Sequence, residues 1–587
     1  MLINTRIKGA LLRRYLFSWY NDYGSGFMYI KRIKINNFRG IKELNKEFDN
    51  RLLCLIGNSD STKTTILDAI EFCLYPYWTI QITDTDFYNC NIDENIVIQL
   101  TIGDIPEKLL TEEKYGLYIR KDVDDNQDDE PTDSDNKYIT IELRINEMFE
   151  CKWSVINNRS DGKSISHKDR SEFNVARIGE NVNKDFRIGK NSILKQYIDD
   201  INFMDMFLID IMRDIKEIKI TDTKLKESLD TMKSVIENYS VKLNDELKIN
   251  VELKNSDIGL SNLNLCDGII PIHSKGTGTK RLVSSILNIN KLENSACILI
   301  DEIEYGLEPH KLSELLYKLK ESSKTNGQVI MTTHSPITIA ELEYNNLILC
   351  KSKDGITNCT NFDETIQPLL RSNSFAFITN KIIVVEGATE NGILKTLNKK
   401  WSDYGESLSM YNSLVMDGKG GTQACNHAKK LHSMGYKVCV LIDSDDEVAL
   451  KKAEEIEKIG IKVFKWEDGN STEKQILKDL PKESLNDIIN MMVELKKDER
   501  AVKNYINDEF KIETIKVEDL SDFTVDEIKE KLVKILTFKN AEGKDRFKSI
   551  NYGIALGKVI EQNYDKLKTD TIKNVINDLK EWYKDDE

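Results

Sequence analysis

The chain has 587 residues, 40% of them hydrophobic and 31% charged, which is enough for real buried cores and too many for one. Lysine and arginine number 83 against 98 acidic residues, a net charge of −15, so a globally basic nucleic-acid coat is excluded and any polyanion must meet a local groove. With 8 prolines, ten scattered cysteines lacking a CxxC pair and six dispersed histidines, long disordered linkers, a disulfide framework and a zinc site are all disfavoured.

Residues Met1 to Phe27 are basic and aromatic without a signal-peptide apolar core, and no run reaches the roughly 18–20 apolar residues of a membrane span. An N-terminal extension (1–27) on a cytoplasmic protein with buried reduced thiols (Cys54, Cys297, Cys439) is expected. From Met28, the spacing of Ile30, Ile33, Ile35 and Phe38 predicts a strand, a turn at Arg39-Gly40 and a second strand. Leu52 to Ile56 is a short apolar strand, and Thr64 to Leu74 has helical periodicity.

The loop between them runs Gly57-Asn58-Ser59-Asp60-Ser61-Thr62-Lys63-Thr64-Thr65. A strand, a glycine-led loop and a helix start present successive N–H groups to phosphates. Lys63 would reach the β- and γ-phosphates and Thr64 would place its hydroxyl on Mg²⁺, with Gly57, Asn58, Ser61, Thr62 and Thr65 lining the loop. Thr62 stands where such loops usually carry glycine, and its β-branched side chain restricts the backbone. Nucleotide binding is therefore expected more firmly than fast hydrolysis.

Strands are predicted over Ile96 to Ile102 and Tyr138 to Ile145. The acidic Asp122 to Asp135 between them is read as a solvated loop, since Gln127 stands where a calcium loop needs glycine. Residues from about 190 to 247 read as charged helix, an inserted dimerisation arm. Ser274-Lys275-Gly276-Thr277-Gly278-Thr279-Lys280-Arg281-Leu282 then leads into a helix. Next, Ala296 to Ile300 is an apolar strand ending in Asp301 and Glu302. Buried strands seldom end in paired acids without a purpose, because burying unpaired charge is costly. Asp301 suits Mg²⁺, directly or through water, and Glu302 suits the base on an attacking water. A further strand, Gln328 to Thr332, ends at Thr333-His334-Ser335-Pro336, where His334 could meet a γ-phosphate.

A second set of β/α units follows. Lys381 to Val385 is a buried strand ending in Glu386-Gly387, with Glu390 opening the next helix, and Val438 to Ile442 ends in Asp443-Ser444-Asp445-Asp446. Strand C-termini in open α/β sheets converge on the ligand crevice, so Glu386, Asp443 and Asp445 are expected close together. Clustered carboxylates repel unless cations neutralise them, and Mg²⁺ or Mn²⁺ is the natural partner. The bland alternative is that each acid caps a helix. Between the strands, Met416-Asp417-Gly418-Lys419-Gly420-Gly421 either approaches a phosphate or turns the chain.

The ordered motifs "IKRIKINNFRGIKE", the phosphate loop, "ILIDEIEYGLEPH" and "TTHSP" resemble ABC/SMC/Rad50-like ATPases. The resemblance implies that Ser274, Gly276 and Gly278 form the signature segment, which binds the ATP of a partner protomer, hence a homodimer or higher homo-oligomer. The Glu-Gly and Asp-x-Asp strands resemble the TOPRIM domain. An ATPase head followed by TOPRIM resembles the OLD (overcoming lysogenization defect) nucleases, including Gabija-like and retron-associated members. That likeness implies a metal role for Glu473 in "WEDGNSTEKQIL" and for Glu390. In "RFKSINYGIALGKVI" it implies a catalytic lysine, Lys548, with Lys544 and Lys558 as lesser candidates. It attaches a role, left open, to Thr83 to Phe87.

The expected fold is α/β. An ATPase head (28–190 and 256–370) is interrupted by a helical insertion (191–255) and followed by a Rossmann-like TOPRIM core (371–480) and a helical C-terminal part (481–587). The expected function is an ATP-binding endonuclease that nicks or cleaves DNA with two metal ions, ATP acting as regulator, in antiviral defence beside a helicase or retron reverse transcriptase. RNA as substrate, and a sensor or scaffold with an inert TOPRIM site, stay open as alternatives. A primase or topoisomerase lacks support, with neither a zinc ribbon nor an identifiable nucleophilic tyrosine.

Overall fold

The computed structural model describes residues 28–121, 130–132, 136–179, 182–187, 194, 223–238, 241, 243, 245–251, 263–291, 297–324, 327–539 and 545–585. The N-terminal extension, most of the acidic 122–135 segment, most of 191–222 and Lys544 lie outside them. The chain divides into two units, Met1–Arg371 and Ser372–Glu587.

The first unit is built on a twelve-stranded mixed sheet. Its antiparallel part pairs Tyr29–Phe38 with Ile41–Glu47 on one side and Ile96–Gly103 on the other. Ile30 and Ile33 are both fully buried although three residues apart, a spacing that strict alternation would send to opposite faces. A register shift between Ile30 and Arg32 resolves this, since the extra residue of a bulge resets the phase. The parallel part runs Leu347–Lys353, Leu52–Ile56, Gln328–Thr332, Cys297–Ile300, Val175–Ile178. Leu52–Ile56, Gln328–Thr332 and Cys297–Ile300 are buried at every position, which is why they read as unbroken apolar runs.

Part of the helical expectation for 191–255 is corrected. Thr223–Glu237 is helix, but Leu247–Val251 is a strand pairing antiparallel with Leu263–Asp267. Leu247 and Ile249 are buried while Lys248 is exposed, the period of two that marks a half-buried strand.

The second unit holds a four-stranded parallel sheet in the order Ser413–Asp417, Lys381–Val385, Lys437–Ile442, Lys462–Lys465. Its strand ends carry the acids to one edge, the usual crevice of such sheets. Helices from Leu485–Lys496 to Thr571–Lys584 complete the unit and share one apolar core with the sheet. Helix Ile550–Asn563 lies against Ala388–Asp403 so closely that a methyl at Gly392 would strike the Ile550 carbonyl, and one at Gly553 the Thr389 carbonyl. That contact, reinforced by the Thr396 hydroxyl donating to Ile554 O at 3.0 Å, holds the residues just before Ile550 beside the helix that bears Glu390. Among the described residues no helix is long and apolar enough to cross a membrane.

Candidate functional site

The Gly57–Thr65 loop leaves strand Leu52–Ile56 and opens helix Lys63–Cys73. Lys63 is 5% exposed, and its ammonium donates to Gly57 O at 3.0 Å, Asn58 O at 2.6 Å and Ser61 Oγ at 3.0 Å. The loop is thus wrapped around its own lysine, and a phosphate entering would exchange those partners for its oxygens. Burial lowers the Lys63 pKa, opposed by Cys350, Glu302, Asp301 and Asp60. Thr62 takes the left-handed conformation (φ 63°, ψ 16°), so a residue costly there occupies the conformation that favours glycine. Its hydroxyl donates to Ser61 O at 2.7 Å and lies 2.9 Å from the Thr357 hydroxyl. Asn58 and Thr65 are half-buried.

Asp301 follows Cys297–Ile300 and accepts from Thr64 Oγ1 at 3.0 Å and from Thr332 Oγ1 at 2.7 Å. Thr64 and Asp301, each expected from the sequence to serve Mg²⁺, are thus hydrogen-bonded to each other. The other Asp301 oxygen meets a residue that sequence reasoning missed: Arg177 Nη2 bridges Asp301 Oδ2 and Asp68 Oδ1, both at 3.0 Å. Arg177 reaches them because Val175–Ile178 runs parallel beside Cys297–Ile300. Arg39 joins the same network through Asp68 and, at 2.9 Å, Asp86. Asp86 belongs to the 83–87 segment whose role the sequence left open; it accepts from the Thr83 backbone N–H at 3.0 Å and anchors Arg39.

Glu302 has a positive φ of 45°, and its N–H donates to Thr332 Oγ1 at 2.8 Å. Two residues on, Glu304 accepts from Thr333 Oγ1 and from the His334 N–H, both at 2.6 Å. This second missed residue, an acid, ties the histidine loop to the acidic strand. Burial and Lys63 lower the His334 pKa, which keeps its ring neutral near pH 7. Ser274 and Gly276 are exposed, with nothing near the place of a Gly276 side chain. Gly278 instead meets the Gly306 carbonyl, while Arg281, 1% exposed, donates to the carbonyls of Gly179, Asp301 and Glu302.

In the second unit, Glu386 Oε2 accepts from the Asp443 N–H at 3.0 Å. Asp443 Oδ1 accepts from Thr472 N at 2.9 Å and its hydroxyl at 2.7 Å. Glu390 Oε2 accepts from the Gly387 N–H at 2.9 Å, a helix-capping bond, so the bland reading of Glu390 and the functional one coexist. Asp446, rather than Asp445, caps the helix after Lys437–Ile442, accepting from Val448 N at 2.9 Å. One oxygen of each of Glu386, Asp443 and Glu390 is thus held by the protein, leaving the other for a ligand.

The site's electrostatics are those of crowded acids. Burial and the charges of Glu390 and Glu386 push the Asp443 carboxyl up to about 8. Burial raises Glu386 and Glu473 as well, with Glu390 adding to both. Burial would lower Lys548, but Glu473, Glu390 and Asp443 outweigh it and hold its pKa above the ordinary lysine value. Asp445 is exposed and reaches the group as a charge on Glu386. Lys558 is exposed farther along the helix. As they stand, no three acidic, histidine or cysteine side chains close into a metal cage among the described residues, so an ion would have to draw the donors inward. The glycine-rich turn packs on this site: the Gly420 N–H donates to Glu386 O at 2.7 Å, and a Cβ at Gly421 would stand 3.1 Å from Glu386 Oε2.

Residues 28–339 match the AAA ATPase domain family. Residues 377–445 match the family described as overcoming lysogenization defect protein-like, TOPRIM domain. The chain is similar to the Old nuclease of Escherichia phage P2, 26% identical over 194 residues that cover 29% of this chain and 33% of that protein. A stretch of 46 residues is 44% identical to DNA replication and repair protein RecF of Clostridium kluyveri, covering 8% of this chain and 13% of RecF. The matched stretch thus spans about a third of the Old nuclease and less of RecF. Among solved structures, an SMC head bound to the C-winged helix domain of ScpA is 15% identical with a TM-score of 0.37, covering 57% of this chain and 98% of that one. The SMC head domain from Thermotoga maritima is 14% identical with a TM-score of 0.30, covering 57% and 99%. Structural likenesses this faint carry no weight for function.

Proposed function

We propose, from the premise that this chain belongs to the AAA ATPase domain family and carries an OLD-like TOPRIM domain, that it is a metal-dependent endonuclease acting on DNA under the control of bound ATP. The observation that carries the nuclease reading is the crowding of Glu386, Glu390, Asp443 and Glu473 around Lys548, with Asp443 pushed up to about 8. Buried acids so poorly compensated fit hard divalent cations, Mg²⁺ or Mn²⁺, and offer oxygens enough for two. Glu386, Glu390 and Asp443 would hold them, with Asp445 and Glu473 drawn in. Cations there supply charge that polarises the attacking water and the leaving oxygen. Lys548 offers a fixed positive charge to the phosphodiester oxygen on which negative charge develops, and Thr472 keeps Asp443 aimed.

In the head, Lys63 and Thr64 take the phosphates and Mg²⁺, Asp301 backs Thr64, Glu302 orients water and His334 meets the γ-phosphate. The exposure of Ser274 and Gly276 supports a second copy covering the nucleotide. A role in antiviral defence, Gabija-like or retron-linked, in the cytoplasm, rests on the OLD resemblance alone. A second reading, a nucleotide sensor with an inert metal site, is favoured by the absence of a closed cage among the described residues.

Supercoiled and linear DNA, each with Mg²⁺ or Mn²⁺ and with or without ATP, separate these readings. Wild type should cut, and Glu386→Ala and Lys548→Ala should each lose on the order of 100- to 1000-fold. Lys63→Ala should keep the blade and lose the response to ATP. Intact DNA with wild type, or equal cutting by Glu386→Ala, sinks the nuclease reading; cutting of RNA alone would move the substrate.

A further inference from the structure

The hairpin of Leu347–Lys353 and Ile356–Asn361 touches the phosphate loop twice. Its first strand runs parallel to Leu52–Ile56, and the Cys350 carbonyl fills the space where a side chain at Gly57 would stand. On its second strand, the Thr357 hydroxyl lies 2.9 Å from that of Thr62. Cys350 and Cys359 lie directly opposite in antiparallel register, sulfurs 3.5 Å apart. Cys350 is buried and Cys359 half-buried. Neither site described above uses these thiols.

We propose that Cys350 and Cys359 are a reversible disulfide site whose oxidation weakens nucleotide binding at the adjacent phosphate loop. The nucleotide part rests on the ATP reading of that loop. Directly opposed antiparallel residues have Cα atoms about 4.5–5.5 Å apart, inside the roughly 4.4–6.8 Å that a disulfide spans. The sulfurs need only close from 3.5 Å to a bond of about 2.05 Å.

The oxidant is a peroxide. The Cys359 thiolate attacks one peroxide oxygen, the O–O bond breaks, and a sulfenic acid and one water result once the thiol proton is counted. Cys350 sulfur then attacks the sulfenic sulfur. The S–S bond forms, the S–O bond breaks, and the Cys350 proton leaves with that oxygen as a second water. Two thiols are oxidised and one peroxide is reduced to two waters. The hydrogen bond with Cys359 and burial hold Cys350 as the thiol, so Cys359, which an oxidant can reach, is the first to react. The Cys350 carbonyl is the group packed on Gly57, so closing the pair strains the backbone that bears on the phosphate loop.

The test treats the full chain with hydrogen peroxide or dithiothreitol. It reads unreduced peptide maps, hydrogen exchange of the 57–65 peptide and affinity for a fluorescent ATP, in wild type and Cys359→Ser. Expected are one 350–359 cross-link that dithiothreitol reverses, altered exchange at 57–65, and an ATP dissociation constant raised about tenfold in wild type only. No 350–359 link under peroxide, a link that leaves exchange and affinity unchanged, or an equal peroxide effect in Cys359→Ser overturns the proposal. If reduced wild type binds no ATP, the ATP reading fails by itself, while the cross-link and the exchange still decide whether the pair acts on the loop.

Discussion

At the end of Cys297–Ile300, Asp301 meets Arg177, Thr64 and Thr332, so its charge is answered by the protein before any ligand arrives. At the ends of Lys381–Val385 and Lys437–Ile442, Glu386 and Asp443 meet a backbone N–H and a threonine, with further acids around them and Lys548 as the cation among them. All three strands read alike in sequence, apolar and then acidic. The difference is in compensation. A nucleotide brings its own Mg²⁺, so the head needs an acid already aimed and quiet. On the proposed reading the second site recruits its ions, and uncompensated carboxylates would supply the attraction.

The contrast can be broken first at Arg177. Its side chain is 10% exposed, and Arg177→Ala would strip the charge from between Asp301 and Asp68. Removing one member of a buried ion pair costs about 3 kcal/mol, so denaturant unfolding of the nucleotide-free protein should show the head's transition weakened by that much. No loss would mean that Asp301 is not compensated through Arg177.

Asp443→Asn should act in the opposite sense. The folded state holds the Asp443 proton up to about 8, above the unfolded value of 3.8, so native protein binds more protons than unfolded protein between those values. Its stabilisation is then full below about 4 and is lost as pH rises through about 8. Metal-free wild type should lose stability across that window, on the order of 2 kcal/mol after allowance for the coupled neighbours. Asp443→Asn should flatten the slope and, at pH 8, be the more stable protein; added Mg²⁺ should raise wild type and leave the variant unmoved. Thermal unfolding from pH 5 to 8 with and without the ion reads both, and a variant less stable at pH 8 contradicts the scheme.

The smallest expected effect is at Thr62. Glycine would relieve the left-handed backbone but lose the hydroxyl contact with Thr357. With terms of about 1 kcal/mol of opposite sign, Thr62→Gly should change stability by less than about 1 kcal/mol. ATP turnover, measured beside it, should rise if the side chain and not the fold restrains the loop.

Much of this was legible in the chain. Apolar strands ending in acids announce themselves because burial demands the run and a charge at its end needs a partner or a ligand. The phosphate loop and the Glu-Gly and Asp-x-Asp ends were therefore placed by local pattern alone. Arg177 was not, since nothing in "FNVARIG" distinguishes an ion-pairing arginine from a solvated one. Glu304 hid beside the more conspicuous Asp301-Glu302. The glycines four apart, Gly553 and Gly557, did carry a signal for close helix packing, but not that the partner would be the helix bearing Glu390. The strand at Leu247–Val251 was lost in a charged segment where alternation over five residues is easily overlooked.

The sequence by itself determined where the three acidic strand ends lie, because hydrophobic period and terminal charge are local properties. Only the tertiary structure decided which of those acids are compensated and which are left repelling one another. That depends on partners far along the chain, Arg177 for Asp301 and Lys548 for Glu473 and Glu390, brought close by strand order and helix packing that no local pattern records.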